Sequence, residues 1–161
     1  EYALKMARSA GVTTILNPAP AAPLDNAMIA LCDYATPNET EASNITGIEV
    51  VSVDDARAAG DELLKRGAGC AVITLGAQGA LFHSIDRSIH VGAIDAGPVV
   101  ETTGAGDAFN GGMAVGLARG LDPAQAVNLG CATAAISVTR PGTAPSMPTM
   151  AEVDTLLESL T

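Results

Sequence analysis

Short, wholly apolar runs alternate along this chain with segments whose apolar residues have helical spacing. Runs of this kind occupy residues 12–16, 28–35 and 70–75. A strand with apolar side chains on both faces must be covered on both faces, and such strands are typical of parallel sheets. Because helical segments separate the runs, the sequence predicts an α/β fold with a doubly wound, mostly parallel sheet and helices on both faces.

The remaining boundaries follow from turn and capping residues. Helices are expected over residues 2–10, 38–46, 53–66, 107–119, 122–139 and 150–160. Gly11 ends the first helix, and Pro123 lies at the first position of the fifth. Two short strands around Asp86 and Arg87 form a hairpin, and Val99–Val100 is interpreted as a short strand before a glycine-rich turn. The length fits one domain over residues 1–161.

The composition excludes several classes of partner. Apolar residues make up 48% of the chain, yet it has only two Phe, two Tyr and no Trp, so small aliphatic residues must form a closely packed core. So few aromatic side chains offer no surface on which nucleic-acid bases could stack. The net charge of −10 also argues against the basic stripe that a duplex binder needs, so we expect no nucleic-acid partner. No apolar run is long enough to span a membrane and no signal peptide opens the sequence, which favours a cytoplasmic protein.

The cysteines and histidines show no metal-binding pattern. Cys32, Cys70 and Cys131 are far apart in apolar stretches, and no Cys/His spacing suits zinc. We expect three reduced, buried thiols. His83 and His90, which flank the predicted hairpin, are expected to be ordinary surface residues.

The segment Glu101-Thr-Thr-Gly-Ala-Gly-Asp107 combines three properties of an anion site. Its glycines allow a ligand to approach the backbone closely. The backbone N–H groups of Ala105, Gly106 and Asp107 open a helix, whose N-terminus favours an anion. The Asp107 carboxylate lies at the same place and could accept a proton from a hydroxyl, although Asp107 could equally be a plain N-cap. The motif G-x-x-x-x-G-K-[ST] is absent from the sequence. The segment also fails to match G-x-G-x-x-G, because Phe109 replaces the third glycine.

Other polar residues and glycines also follow predicted strands, where ligands bind in doubly wound folds. They are Asn17, Asn38, Glu41, Gly76, Gly79 and Gly104.

Five motifs together resemble the ribokinase (PfkB) family of carbohydrate kinases over essentially the whole chain. The most specific is Thr103-Gly-Ala-Gly-Asp-Ala-Phe-Asn-Gly111. The other four are Asn17-Pro-Ala-Pro-Ala21, Thr36-Pro-Asn-Glu-Thr-Glu-Ala42, Val72-Ile-Thr-Leu-Gly-Ala-Gln-Gly79 and Val138-Thr-Arg-Pro-Gly-Thr-Ala-Pro-Ser146.

The resemblance implies catalytic roles. Asp107 matches the base that deprotonates the primary hydroxyl of a sugar for attack on the γ-phosphate of ATP. Gly104, Ala105 and Gly106, with the Asp107 N–H, match the anion hole that holds the charge developing during transfer.

The resemblance also implies the nucleotide and metal ligands. Asn38 and Glu41 match a motif that positions Mg²⁺ and phosphate, partly through water. They also fit a helix start just after Pro37, and the two interpretations are compatible. The implied nucleotide-binding residues are Asn38, Thr74, Gly76, Gly79, Gly106 and Asp107. Many members of the family bind K⁺ through backbone oxygens, and the matching positions are Glu101, Thr103, Ser137, Gly142 and Ser146. Glu101 departs from the family's usual Asp, and its extra methylene could displace the ion or change its selectivity.

The implied activity is ATP-dependent phosphorylation of D-ribose to ribose 5-phosphate, with ATP/ADP and a small sugar as ligands. Fructose, a nucleoside or a keto-sugar acid are alternative acceptors, and a truncated, non-catalytic nucleotide-binding domain is the alternative from another class. Family members are about twice as long, with the sugar site and a lid mostly in the N-terminal half. We therefore expect this chain to be the C-terminal half, with the N-terminal half of the fold incomplete and little activity alone. The resemblance also implies a homodimer of the full-length parent through its lids.

Overall fold

The computed structural model describes residues 1–20 and 22–160. Ala21, the last residue of the first family motif, and Thr161 lie outside the described residues. The helices are α1 (Tyr2–Ser9), α2 (Asn26–Ile29), α3 (Glu39–Thr46), α4 (Val53–Lys65), α5 (Ala105–Ala118), α6 (Pro123–Ser137) and α7 (Met150–Glu158). The strands are β1 (Ile15–Leu16), β2 (Tyr34–Ala35), β3 (Cys70–Thr74), β4 (Ala80–His83) and β5 (Ser88–Val91).

The chain forms two compact units. The first contains residues 1–76 and 80–90, and the second contains residues 77–79 and the chain from Val91 onward.

The sheet follows the order of the sequence, β1-β2-β3-β4-β5. Strands β1, β2 and β3 are parallel, and β4 is antiparallel to β3, with Val72 opposite Phe82. Ala71, Ile73 and Leu81 belong to a buried cluster with apolar residues of α3 and α4. Val72 and Phe82 are buried as well, so both faces of the central strands are covered. The prediction of a mostly parallel α/β sheet is confirmed.

The apolar run at residues 28–35 is not one strand. Asp25 caps a helical turn by accepting a hydrogen bond from the Ala27 N–H at 3.0 Å, and β2 begins only at Tyr34. Between them, the Asp33 carboxylate accepts the Thr14 N–H at 2.8 Å. The prediction is wrong for the first half of the run, because local capping there favours a helical turn.

The expected strand at Val99–Val100 is absent. Both side chains are exposed, at 65% and 58%, and the Val100 N–H donates to the Val138 carbonyl at 2.7 Å. The donor that a strand would need is therefore used to bind the segment to the end of α6.

Close packing through glycine holds α5 against α6 in the second unit. A Cβ atom at Gly116 would lie 2.8 Å from Cα of Ala126, and one at Gly130 would lie 2.9 Å from the Phe109 carbonyl oxygen. Small residues therefore allow two helix backbones to approach, rather than only a helix and a sheet. Helix α7 packs on α6 through Val153 and its apolar neighbours.

One histidine differs from its prediction. His83 is buried, since its ring packs on Gly60 and its Nε2 lies 3.0 Å from Asp61 Oδ1. The expectation of a surface residue is wrong for His83 and confirmed for His90, which is exposed.

All three cysteines are free thiols. Cys32 and Cys131 are buried as predicted, whereas Cys70 is only half-buried. Burial raises the pKa of the Cys131 thiol to about 12, so this sulfur stays protonated and unreactive near neutral pH.

Candidate active site

The glycine-rich turn before α5 is built around Gly104. Gly104 is the N-cap of α5 with φ 85°, a left-handed conformation that suits glycine. The Ala105 N–H donates to the Thr102 carbonyl at 3.1 Å, and the first helical hydrogen bond runs from Ala108 N–H to the Gly104 carbonyl at 2.9 Å. Of the three N–H groups proposed to meet an anion, that of Ala105 is thus used within the turn. Those of Gly106 and Asp107 precede the helical ladder and are oriented along the helix axis.

Asp107 is the third residue of α5. Its side chain is exposed, and it lies in the first turn, where the helix dipole favours a negative group. The N-cap alternative for Asp107 is wrong, because Gly104 occupies that position. The carboxylate is therefore available to a hydroxyl from solvent or from a ligand.

Asn38 and Glu41 form a capping box at the start of α3. The Glu41 N–H donates to Asn38 Oδ1 at 2.8 Å, and the Asn38 N–H donates to Glu41 Oε2 at 2.9 Å. Glu41 is only 6% exposed. The helix-start interpretation is therefore correct as a structural description. It leaves the carboxylate with further acceptor capacity, since each carboxylate oxygen has two lone pairs.

Thr74 and Gly76 lie beside this capping box. Asn38 forms a parallel β-bridge with Thr74, and the Thr74 N–H donates to the Pro37 carbonyl at 3.0 Å. A Cβ atom at Gly76 would lie 3.5 Å from Glu39 Oε1. The structure thus brings Asn38, Glu41, Thr74 and Gly76 together where β2 and β3 end. Asn17 follows β1 and is half-buried.

Gly79 belongs to the second unit and has a structural reason to be glycine. Its φ is 93°, and a Cβ atom there would lie 2.6 Å from the Ala93 nitrogen. The close approach of two backbones therefore requires glycine at this position, whatever else the residue does.

The positions expected to hold K⁺ lie on two segments of the second unit that are hydrogen-bonded to each other. The Gly142 N–H donates to Glu101 Oε2 at 2.8 Å, and the Glu101 N–H donates to the Val138 carbonyl at 3.1 Å. The Gly142 N–H, and after it the Thr103 hydroxyl, lower the pKa of Glu101. Ser137 and Ser146 are buried, and their hydroxyls donate to backbone carbonyls three residues earlier, at 2.8 and 2.7 Å.

Sequence reasoning missed the contacts that support this segment. Arg140 forms an ion pair with Glu152 of α7, and Thr143 packs on Gly104, where a Cβ atom would lie 3.4 Å from the Thr143 Cβ. Arg140 and Thr143 lie within the motif Val138–Ser146, so the motif indicated the segment without indicating what its side chains do.

Two absences concern the described residues alone. Within residues 1–20 and 22–160, no group of three or more His, Cys, Asp or Glu side chains gathers to hold a metal ion. No helix in the same part of the chain has both the length and the apolar character needed to cross a membrane.

The α/β fold and the motifs along the chain match a class of carbohydrate kinases. Residues 1–150 match the family described as pfkB family carbohydrate kinase. The chain belongs to this family.

Individual members of the family show the same similarity. The chain is 39% identical to the ribokinase of Haemophilus influenzae over 98% of its own length and 51% of the relative. It is 36% identical to the deoxyribokinase of Salmonella typhi over 97% of its length and 51% of the relative. A solved structure of Arabidopsis thaliana ribokinase complexed with ribose and ATP superposes with a TM-score of 0.92 and 31% identity, covering 96% of this chain and 50% of that one. The chain thus spans about half the length of the curated relatives it matches.

Proposed function

We propose that this chain is the nucleotide-binding and catalytic part of an ATP-dependent sugar kinase that converts D-ribose to ribose 5-phosphate. The observation that carries the proposal is the exposed Asp107 carboxylate in the first turn of α5, beside N–H groups that precede the helical hydrogen bonds. The similarity to the Haemophilus ribokinase and to a ribokinase that binds ribose and ATP supports the choice of reaction.

In the proposed reaction, Asp107 accepts the proton of the primary hydroxyl as that oxygen attacks the γ-phosphorus. The bond between the γ-phosphorus and the β,γ-bridging oxygen breaks, and ADP leaves with the bonding electron pair. Backbone N–H groups of Gly106 and Asp107 stabilise negative charge on the phosphoryl oxygens. The Ala105 N–H contributes less than the family resemblance implies, because it already donates to Thr102.

The residues at the ends of β2 and β3 fit Mg²⁺ bound through water and ATP phosphates. One nearly buried carboxylate, Glu41, with the amide of Asn38 beside it, suits an ion that usually takes one or two protein carboxylates. When bound, Mg²⁺ neutralises charge on the phosphates. We assign Thr74, Gly76 and Gly79 to the nucleotide-phosphate loop, where Gly76 leaves the backbone accessible and Gly79 allows the close approach of the chain at Ala93.

The segments that carry Glu101, Thr103, Ser137, Gly142 and Ser146 fit K⁺ because their backbones are held side by side. When bound, K⁺ would add positive charge near the turn that precedes α5. A requirement for K⁺ is part of the proposal, and an ADP-release assay with and without K⁺ tests it.

Two alternatives remain open. Similarity to a deoxyribokinase at 36% identity favours 2-deoxy-D-ribose as a second acceptor, ahead of fructose, a nucleoside or a keto-sugar acid. A non-catalytic nucleotide-binding domain would bind ATP with the same backbone and transfer nothing.

The test is ADP release from Mg–ATP in the presence of D-ribose or 2-deoxy-D-ribose, with K⁺ or with tetramethylammonium. The Asp107→Asn variant is expected to lower kcat by about 10²- to 10⁴-fold, as for loss of a general base. Asp154→Asn, at an exposed site on α7, is the matched control and should leave kcat unchanged.

Nucleotide binding separates the remaining outcomes. Binding of Mg–ATP without turnover in either protein supports the non-catalytic alternative, or a catalytic half that needs the rest of the fold. Equal turnover by wild type and Asp107→Asn would refute the role of Asp107, and no binding at all would refute the proposed function.

A further inference from the structure

The turn that carries the proposed anion hole has little internal support. Its N-cap, Gly104, has no side chain to accept a hydrogen bond from the first turn of α5, and it adopts φ 85°. Within the turn, the Ala105 N–H bonds to the Thr102 carbonyl at 3.1 Å. Such a turn keeps one conformation only if neighbouring segments hold it, because glycine has many accessible conformations.

The segment at residues 138–143 supplies that support. The Val138 carbonyl accepts two N–H groups from the start of the turn, those of Val100 at 2.7 Å and Glu101 at 3.1 Å. Thr143 packs on Gly104 at the other end. These contacts use backbone atoms and one small side chain, so they leave the middle of the turn without a polar link.

Glu101 provides the link. Its Oε2 accepts the Gly142 N–H at 2.8 Å, across 41 residues of sequence. One half-buried side chain thus joins the turn to the facing segment. The donor is a neutral backbone N–H, so the carboxylate needs no cation to make this bond.

The facing segment is itself held. Arg140 pairs with Glu152 in the first turn of α7, and α7 packs on α6 through Val153. The segment that carries Gly142 is therefore anchored to a packed helix.

We propose that Glu101 is a positioning residue that fixes the turn Thr102–Gly106 through its hydrogen bond with Gly142, and that it does so without a bound cation. The functional part of this inference rests on the proposed kinase function: the turn that Glu101 holds presents the N–H groups that meet the transferred phosphoryl group. Correct placement of such donors matters, because a displacement of about 1 Å can cost about 10²-fold in rate.

Hydrogen–deuterium exchange tests the structural part without any enzyme activity. In Glu101→Ala, the hydrogen-bonded amides of Ala105, Ala108 and Gly142 should exchange about tenfold faster, while those of β3 keep their wild-type rates. Glu101→Gln retains an oxygen that can accept the Gly142 N–H, so it should restore most of the protection. Asp154→Ala is the matched control and should change neither region.

The same measurement distinguishes the carboxylate from a cation. Wild-type protection of Ala105, Ala108 and Gly142 should be equal in K⁺ and in tetramethylammonium buffers. Protection that appears only with K⁺, or that is unchanged in Glu101→Ala, would overturn the proposal. If Glu101→Ala unfolds, as shown by its denaturation midpoint, the wild-type comparison in the two buffers decides, because protection of Ala105 and Gly142 that requires K⁺ would overturn the proposal.

Kinetics test the functional part. We expect Glu101→Ala to lower kcat about 10- to 100-fold with a KM for ATP within twofold of wild type, because the donors act on the transferring group. An unchanged kcat would overturn the positioning role. A wild-type protein with no kinase activity would count against the proposed function alone, since the exchange experiment would still show whether Glu101 holds the turn.

Discussion

Gly104, the N-cap of α5, has a backbone conformation that disfavours a side chain. Its φ of 85° disfavours any L-residue, and an added Cβ would lie 3.4 Å from the Thr143 Cβ, at the lower limit of ordinary van der Waals contact. We expect Gly104→Ala to lower the free energy of unfolding by about 1–2 kcal/mol, the usual cost of a left-handed conformation for a non-glycine residue. Urea denaturation measures this change.

Gly111 is the matched control on the same helix. It lies inside α5, its added Cβ would meet no atom within 4 Å, and its φ is helical. Gly111→Ala should therefore stabilise the protein by about 0.5–1 kcal/mol, the difference between the two residues in a helix interior. Equal effects of the two substitutions would show that the conformation of Gly104 is not what limits that position.

Residue roles could be predicted from sequence where the partners are close in the chain. Asn38 and Glu41 are three residues apart, so their capping box and their place after β2 follow from spacing alone. The bond between Glu101 and Gly142 spans 41 residues, and no local pattern encodes it. His83 was assigned to the surface because nothing in the sequence near it indicates Gly60 or Asp61 as a partner.

Among the elements, helix α7 has the clearest dependence on pH. The hydrogen bond from Arg140, followed by the N–H and the hydroxyl of Thr149, lowers the pKa of Glu152 from 4.5 to about 2. A carboxylate with a depressed pKa in the folded state stabilises the protein fully above its unfolded value, and this stabilisation is lost as the pH falls toward the folded value. The contribution of Glu152 should therefore disappear between about pH 4.5 and pH 2.

The experiment compares unfolding free energies of wild type and Glu152→Gln over this range. The two curves should differ above pH 4.5 and converge toward pH 2, because the wild-type carboxylate is neutralised there. Asp154 lies two residues after Glu152 in α7 and is exposed. The unfolding free energy of Asp154→Asn should therefore change with pH in parallel with that of the wild type. A difference between wild type and Glu152→Gln that does not change with pH would contradict the assignment.

The ends of helices were predictable because capping residues lie close in sequence. The ends of strands were less predictable, because they depend on pairing with another strand. Helix α3 ends at Gly47 and α6 begins with Pro123 after Asp122, as the sequence indicates. Strand β1 is shorter than its apolar run because β2 offers only Tyr34 and Ala35 for pairing. Val99 and Val100 are β-branched, and β-branched residues favour strands. A strand does not form there because the Val100 N–H donates to the Val138 carbonyl.

At the scale of the whole molecule, the sign of the charge is unusual for a protein proposed to bind an anion as highly charged as ATP. The net charge is −10, and the only lysines are Lys5 and Lys65. Both lysines lie in the first unit, on α1 and α4. We therefore assign the phosphates to local backbone dipoles and a metal ion, with an arginine as a further source of positive charge, against the long-range field of the protein.

This balance predicts the direction of the salt effect. Salt screens interactions beyond the Debye length, about 10 Å at 0.1 M, and leaves short hydrogen bonds little changed. If long-range repulsion opposes binding, the affinity for ATP without Mg²⁺ should rise as NaCl increases from 10 to 150 mM. A site built on lysine and arginine side chains would show the opposite trend.

Adenosine provides the control, because it presents the same base and ribose without phosphate charge, and its affinity should not change with salt. Titration calorimetry of the two ligands over the same NaCl range measures both trends. A fall in ATP affinity with salt would mean that cationic side chains dominate phosphate binding, and the assignment of the phosphates to the N–H groups of Gly106 and Asp107 and to the loop at Gly76 would then be wrong.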